Sequence, residues 1–169
     1  MAAPMVATVG YFQAVCGKQL KTNKSKDPIL DAGNGKKISG LSNIAKHLLR
    51  VSDDFKNLSL EERIAAEQWI EYARTEVSTD KEAVRMVLKE LNAYLQDKVF
   101  FVADRLTVAD VFMFHSLHAV FARLTFQEKE KHINVSRWFS NIQREQAVRQ
   151  NLSGVTFLRT PVYDGVAAH

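Results

Sequence analysis

The stretch Leu106-Thr107-Val108-Ala109-Asp110-Val111-Phe112-Met113-Phe114-His115-Ser116-Leu117-His118-Ala119-Val120-Phe121-Ala122 decides the fold. Thr107 and Asp110 stand three apart, the spacing of a capping box with Asp in the place of Glu, and Leu106 sits where a hydrophobic staple belongs. Eleven of the fifteen residues from Val108 to Ala122 are apolar, and they face all ways around a helix. Such a helix is surrounded by others. The spacing therefore predicts a central helix in an all-helical region. At twelve residues, the longest charge-free apolar run in the body of the chain, Val111 to Ala122, falls far short of the ~20 needed to span a bilayer.

Working outward, Ser59 with Glu62 forms a capping box before an apolar stripe of Ala66, Trp69, Ile70, Ala73 and Val77, with Leu58 as its staple. Thr79 with Glu82 repeats the pattern before Val84, Val87, Leu88, Leu91 and Leu95. Two antiparallel helices joined near Ser78-Thr79 are expected. Asn134 is expected to cap a further helix carrying Val135, Trp138, Phe139 and Ile142, and Val155 to Leu158 to pack back on the surface. Upstream, Asp27-Pro28-Ile29-Leu30 reads as an extended segment, because proline biases its predecessor to the β region. Gly33-Asn34-Gly35 supplies residues that tolerate positive φ in a tight turn, and Lys36-Lys37-Ile38 reads as the returning strand. Leu41, Ile44, Ala45, Leu48 and Leu49 then recur at helical spacing. The first residues are less decisive: Val6 to Val9 reads as a strand, and Tyr11 to Cys16 as a short helix or a second strand.

The 169 residues carry 23 Lys and Arg against 19 Asp and Glu, and a single cysteine. One cysteine excludes an internal disulfide and a cysteine-based zinc site. Nine basic and four acidic residues fall in 1–60, fourteen and fifteen in 61–169, so the positive excess belongs to the first third. Residues 1–17 are uncharged but lack the leading Lys or Arg and the cleavage site of a signal peptide. An intracellular, reducing location is expected.

An extended pair entered through proline, a helix, then an all-helical lobe with a capped buried helix resembles the glutathione-transferase fold. The segments 91–99, 126–131 and 134–143 resemble the third type of aminoacyl-tRNA synthetase complex-interacting multifunctional protein, the elongation factor one epsilon family. The likeness covers roughly residues 27–159. It implies an α+β, mostly α fold: a reduced thioredoxin-like lobe over 1–52, a linker over 53–58, an all-helical lobe over 59–159 and a tail over 160–169. It implies a cis Pro28. It also implies a non-catalytic scaffold without cofactor or metal, in cytoplasm and also nucleus, docking transferase-like domains of methionyl- and glutamyl-prolyl-tRNA synthetases. Roles in initiator methionyl-tRNA handling and DNA-damage signalling come with the resemblance. Self-association of the chain alone is left open.

Two docking surfaces follow from the ways such domains pair. One would use Lys46, Arg50, Arg63, Glu67, Glu71 and Arg74, toward methionyl-tRNA synthetase. The other would use Arg137, Arg144, Val99 and Asp104, toward glutamyl-prolyl-tRNA synthetase, with the planar Arg137 guanidinium as its anchor. The competing use of Arg137 is an internal ion pair with Asp97, Asp104 or another acid of the loop.

The alternatives are a glutathione transferase and a weak tRNA-binding module. Transferase chemistry needs a hydroxyl or thiol near the first strand, for which Thr8, Tyr11 and Cys16 are available. It also needs an acidic-plus-hydroxyl pair opening the helix after the hairpin, where Gly40-Leu41 stand instead and Ser42 is at best a cap. His115 and His118 share a helical face and have metal-ligand chemistry, but no carboxylate lies within a turn on that face. Buried, hydrogen-bonded imidazoles are expected. The basic stretch Lys18, Lys21, Lys24, Lys26, Lys36 and Lys37 would bind tRNA phosphates in a sequence-blind, salt-sensitive way.

Overall fold

A computed structural model describes residues 3–17, 21–22, 28–32, 35–52, 57–77 and 80–157. Along the chain run α1 (Ala3–Cys16), β1 (Lys21–Thr22), β2 (Pro28–Asp31), β3 (Lys37–Ser39), α2 (Leu41–Val51), α3 (Leu60–Thr75), α4 (Lys81–Tyr94), α5 (Val108–Phe121), α6 (Phe126–Lys131), α7 (Ile133–Ile142) and the single turn α8 (Gln146–Arg149). The strands form one antiparallel sheet in the order β1-β2-β3. Leu30 pairs with Ile38 and Asp31 with Lys37, so the returning strand begins one residue later than expected. Gly35, at φ 73°, takes the left-handed conformation the turn requires. Gly33, Asn34, and Asp27, whose bond to Pro28 would be the cis one, lie outside the described residues.

The N-terminal segment corrects the sequence expectation. Val6 to Val9 is no strand, and Tyr11 to Cys16 is not a separate element: both belong to α1. Tertiary packing overrides the β-branched composition. Ala7, Thr8, Tyr11 and Phe12 recur at helical spacing and are buried, and α1 packs on α5, α2 and α8. The central helix is as predicted. Around α5 lie α1, α2, α3 and α7, and its residues from Val108 to His115 are all buried.

At the start of α5, the Thr107 N–H and hydroxyl both donate to Asp110 Oδ2 at 3.0 Å. The other oxygen accepts from the Phe101 N–H at 2.9 Å and from Trp138 Nε1 at 3.0 Å. One carboxylate thus ties the helix start to the preceding loop and to α7. An aromatic chain continues from it: Trp138 sits edge-on to Phe101, with centroids 4.9 Å apart, and Phe101 lies 4.8 Å from Trp69. Trp69 meets Tyr94 at 4.5 Å and the Tyr72 hydroxyl donates to Glu90 at 2.7 Å, which sets α3 and α4 antiparallel.

Two caps differ from expectation. The box at Ser59 and Glu62 forms as read. The next helix is instead capped by Asp80, whose carboxylate accepts from the Ala83 N–H at 2.9 Å. Glu82 pairs with Arg85, and Thr79 lies outside the described residues. Asn134 is not a cap but lies in the first turn of α7. Its backbone N–H donates to Asn92 Oδ1 and its carboxamide to the Asn92 carbonyl, at 2.9 and 3.0 Å. A contact with α4, 42 residues away, takes the side chain from the local capping role. Thr125 and Glu128 form a further capping box, before α6. Val155 packs into the core and exchanges two hydrogen bonds with the Gln143 side chain, as the packed-back segment required. Leu158 is outside the described residues.

Candidate docking faces

The α2–α3 face carries the first set of sequence-selected residues. Lys46 and Arg50 stand four apart on α2; Arg63, Glu67, Glu71 and Arg74 follow one another along α3. The helices bring them together as an ionic ladder. Arg50 reaches Glu67 Oε1 through Nη2 at 2.7 Å and Nε at 3.2 Å. Glu71 gathers Lys46 Nζ at 2.6 Å, the Ser42 hydroxyl at 2.6 Å and Arg74 Nε at 2.8 Å. Lys46 first, then Ser42 and Arg74, hold its carboxyl at about 2, well below the usual range. Arg63 reaches the Leu58 carbonyl at 3.4 Å, and its Nε is buried without a hydrogen-bond partner. Exposed Val51, Leu60 and Ile64 lie on the same two helices beside these charges. Exposed ion pairs contribute only ~0–1 kcal/mol each, so such a ladder can exchange partners at little cost.

The second face is the outer side of α7 and the loop before α5. Trp138, Phe139, Val135 and Ile142 point inward, which leaves Arg137 and Asn141 on the solvent side, with Arg144 just past the helix end. Arg137 takes neither of the carboxylates expected. Its Nη2 donates to the carbonyls of Leu95, at 2.8 Å, and Lys98, at 3.0 Å. These carbonyls lie where α4 ends, the negative end of its dipole, so a guanidinium there is favourable. Asp97 pairs instead with Lys98 Nζ at 3.0 Å. Arg137 thereby fixes the loop that presents Val99, 56% exposed. Arg144 and Asp104 are both exposed, and among the described residues no hydrogen bond or ion pair joins them to Arg137, whose bonds go to Leu95 and Lys98.

Thr8, Ser42, His115 and His118 are engaged in hydrogen bonds within the fold. His115 Nε2 lies 2.8 Å from the Val148 carbonyl, which can only accept, so that nitrogen carries the proton. Nδ1 then accepts from the Thr8 hydroxyl at 2.9 Å. Burial holds the imidazole at about 4, hence neutral at pH 7. His118 Nε2 meets the Ser153 carbonyl at 2.9 Å. Ser42 does not cap α2; its hydroxyl donates to Glu71, and Gly40 stands at the cap position with φ 88°. Tyr11 is buried, and the Cys16 side chain lies outside the described residues. Of the basic stretch, Lys21, Lys36 and Lys37 are exposed on or beside the sheet, while Lys18, Lys24 and Lys26 lie outside the described residues. Sequence reasoning missed the α4 cations Lys81, Arg85 and Lys89, although their spacing of four was a visible signal for one helix face.

The family described as nuclear-export cofactor Arc1p matches residues 62–146. Part of the bifunctional glutamate/proline–tRNA ligase of Cricetulus griseus is 26% identical over 133 residues, 77% of this chain and 9% of that one. The GST-like domain of elongation factor 1-gamma from Saccharomyces cerevisiae superposes with a TM-score of 0.69 at 13% identity, covering 94% of this chain and 92% of that one. Eukaryotic translation elongation factor 1 epsilon-1 of Cricetulus griseus is 40% identical over 140 residues, 80% of each chain. On that identity and coverage, carried on a glutathione-transferase-like fold, the chain belongs to the elongation factor 1 epsilon family.

Proposed function

We propose that this chain is a non-catalytic bridge in the multi-aminoacyl-tRNA synthetase complex. Its α2–α3 face would hold the transferase-like domain of methionyl-tRNA synthetase. Its α7 face, anchored by Arg137 with Val99, Asp104 and Arg144 around it, would hold that of glutamyl-prolyl-tRNA synthetase. The observation that carries the reading is the placement of two charged, partly apolar faces on different helices of one small fold. Similarity to a segment of glutamate/proline–tRNA ligase supports a partner of the same fold type. Holding two partners at a fixed separation raises their effective concentration without chemistry.

The non-catalytic part rests on the hydroxyls. Thr8 is committed to His115 and Ser42 to Glu71, and Gly40-Leu41 offers neither carboxylate nor hydroxyl where γ-glutamyl recognition would need them. A cytoplasmic place, a nuclear one besides, and parts in initiator methionyl-tRNA handling and DNA-damage signalling are carried over from the family resemblance. Among the described residues no helix is long and apolar enough to cross a membrane. The test mixes the chain with both synthetase domains at micromolar concentration and weighs the product by size exclusion with light scattering. One three-component species is expected. Two mutually exclusive binary complexes would overturn the bridge, and retention on glutathione resin with turnover of a chromogenic acceptor would overturn the non-catalytic assignment.

A further inference from the structure

We propose that a groove between α4, the C-terminal half of α5 and α6 docks an acidic amphipathic helix of a partner protein, independently of the two faces above. The groove has a volume of about 980 Å³. It arises because α4 rests mainly on α7 and leaves the far end of α5 uncovered. The central helix is otherwise buried on every side. Here Ala119 is exposed and Val120 is only half-buried. An apolar-all-round helix that opens to water at one point lacks a neighbour there. Val84 and Leu88 of α4 and Leu124 after α5 complete an aliphatic floor. The Ser116 hydroxyl is turned onto its own helix, donating to the Phe112 carbonyl at 2.9 Å, so it makes no polar demand on an occupant. Met86, 68% exposed, supplies an adaptable apolar edge.

Charge selects the occupant. Lys81, Arg85, Lys89, Arg123 and Lys131 line the groove against a single carboxylate, Glu128. Its Oε2 already accepts from the Thr125 N–H and hydroxyl, each at 2.8 Å, so one half-engaged carboxylate faces five cations. Arg85 has an exposed ion pair with Glu82 at 2.7 Å, readily exchanged for a stronger anion. Residues 61–169 carry slightly more acidic than basic side chains, so five cations around one aliphatic trough are a local concentration and not the average of the lobe. An occupant must therefore offer a narrow apolar ridge flanked by carboxylates, which is an amphipathic helix with Leu or Ile at i, i+4 and i+7 and Glu or Asp beside them. RNA fits less well. No Phe, Tyr or Trp lines the groove for base stacking, and the floor is aliphatic.

The probe is a fluorescein-labelled 18-residue helical peptide with a leucine stripe and glutamates elsewhere, titrated with the full chain by fluorescence anisotropy. A peptide of equal composition with its leucines scattered is the control. Binding is expected to be specific to the striped peptide and to weaken with salt. It should fall roughly tenfold or more in Ala119→Glu, which puts a carboxylate on the floor, and in the pair Lys89→Glu, Arg123→Glu. All three positions are exposed, so thermal unfolding followed by circular dichroism should show the parent fold retained. The charge-reversed pair should gain affinity for the same striped peptide built with lysines. The proposal is overturned if both peptides bind alike or the variants bind as the parent does. It is also overturned if the variants abolish binding of a short RNA hairpin while sparing the peptide. Dimerisation of the chain alone that Ala119→Glu removes would overturn it as well.

Discussion

Two buried titratable groups on α5 pull the pH dependence of folding in opposite directions, and removing either should unmask the other. Burial raises the Asp110 carboxyl from 3.8 to about 6, more than its four donors return. Burial lowers the His115 imidazole from 6.5 to about 4. The signs follow from proton counts. Between pH 6.5 and 4 the unfolded chain protonates His115 while the folded chain does not, so stability present at pH 7 is lost on acidification. Between pH 3.8 and 6 the folded chain holds the Asp110 proton more tightly, so stability is gained on acidification. At ~1.4 kcal/mol per pH unit, going from pH 7.5 to 4.5 costs about 2.5 kcal/mol through His115 and returns about 2 through Asp110. The parent should show little net change from this pair. His115→Gln preserves a donor toward Val148 and an acceptor toward Thr8 but does not titrate; it should gain about 2 kcal/mol on acidification relative to its own value at pH 7.5. Asp110→Asn should lose about 2.5. Asparagine also turns an amide toward the Thr107 N–H, which lowers its stability at every pH, so the slope and not the offset is the readout. Urea midpoints at four pH values, with the denaturant slope held common, measure this. Titrations elsewhere cancel in the comparison. Three parallel stability–pH curves would refute the opposed shifts and the burial argument behind them.

Arg137→Ala removes two carbonyl contacts at an exposed site and should cost only about 1 kcal/mol of stability. It should nonetheless weaken the glutamyl-prolyl-side partner by ~1–3 kcal/mol in isothermal titration, because the loop bearing Val99 loses its anchor. Unchanged affinity would place that partner elsewhere. Asn92→Ala leaves the Asn134 and Val135 N–H groups without the Oδ1 acceptor, at 2.9 and 3.4 Å, and should destabilise by about 1–2 kcal/mol. Hydrogen exchange at those two amides should quicken; exchange as slow as in the parent would show that the bond does not hold the start of α7.

What was legible in the chain depended on whether the deciding contacts were local. The box at Ser59 and Glu62 joins residues three apart, and the all-round apolar run from Val108 needs no knowledge of its neighbours to be read as buried. The segment Ala3–Cys16 is apolar nearly all round, so the sequence marks no single face as the buried one, and its helix is settled by packing on α5, where Thr8 meets His115 across more than a hundred residues. Asp80 and Thr79 are both good caps by type, and a choice between neighbours one residue apart is set by where the α3–α4 turn closes. The charges of the α2–α3 face were selected through the family resemblance, from the ways transferase-like domains pair. Their pairing was not legible, because Arg50 meets Glu67 and Lys46 meets Glu71 only once the two helices cross. The Thr125 and Glu128 box lies in the sequence too, but it opens a helix of six residues with no buried side chain, so no apolar periodicity follows it to mark a helix.

The division between inner and outer polar groups separates the positions that folding constrains from those a docking partner could engage. Inside, Asp110, His115 and His118 are each bonded to donors or acceptors from other parts of the chain, so changing one leaves others unsatisfied in a low-dielectric core. These positions are constrained by folding whatever the protein binds. Outside, Arg50, Arg74, Arg85 and Lys98 are paired in water, where each bond contributes little to stability. A partner that offers a better carboxylate can take any of them without unfolding the chain. Arg137 stands between the two regimes. It is exposed, yet it holds two backbone carbonyls, and no carboxylate competes for it among the described residues. Both bonds come from Nη2, so a docking residue can meet the guanidinium from outside without breaking the inner contact. That combination of internal fixation and outward availability lowers the entropy lost on binding, and it is why the α7 face should depend on this one residue more than on Arg144 or Asp104.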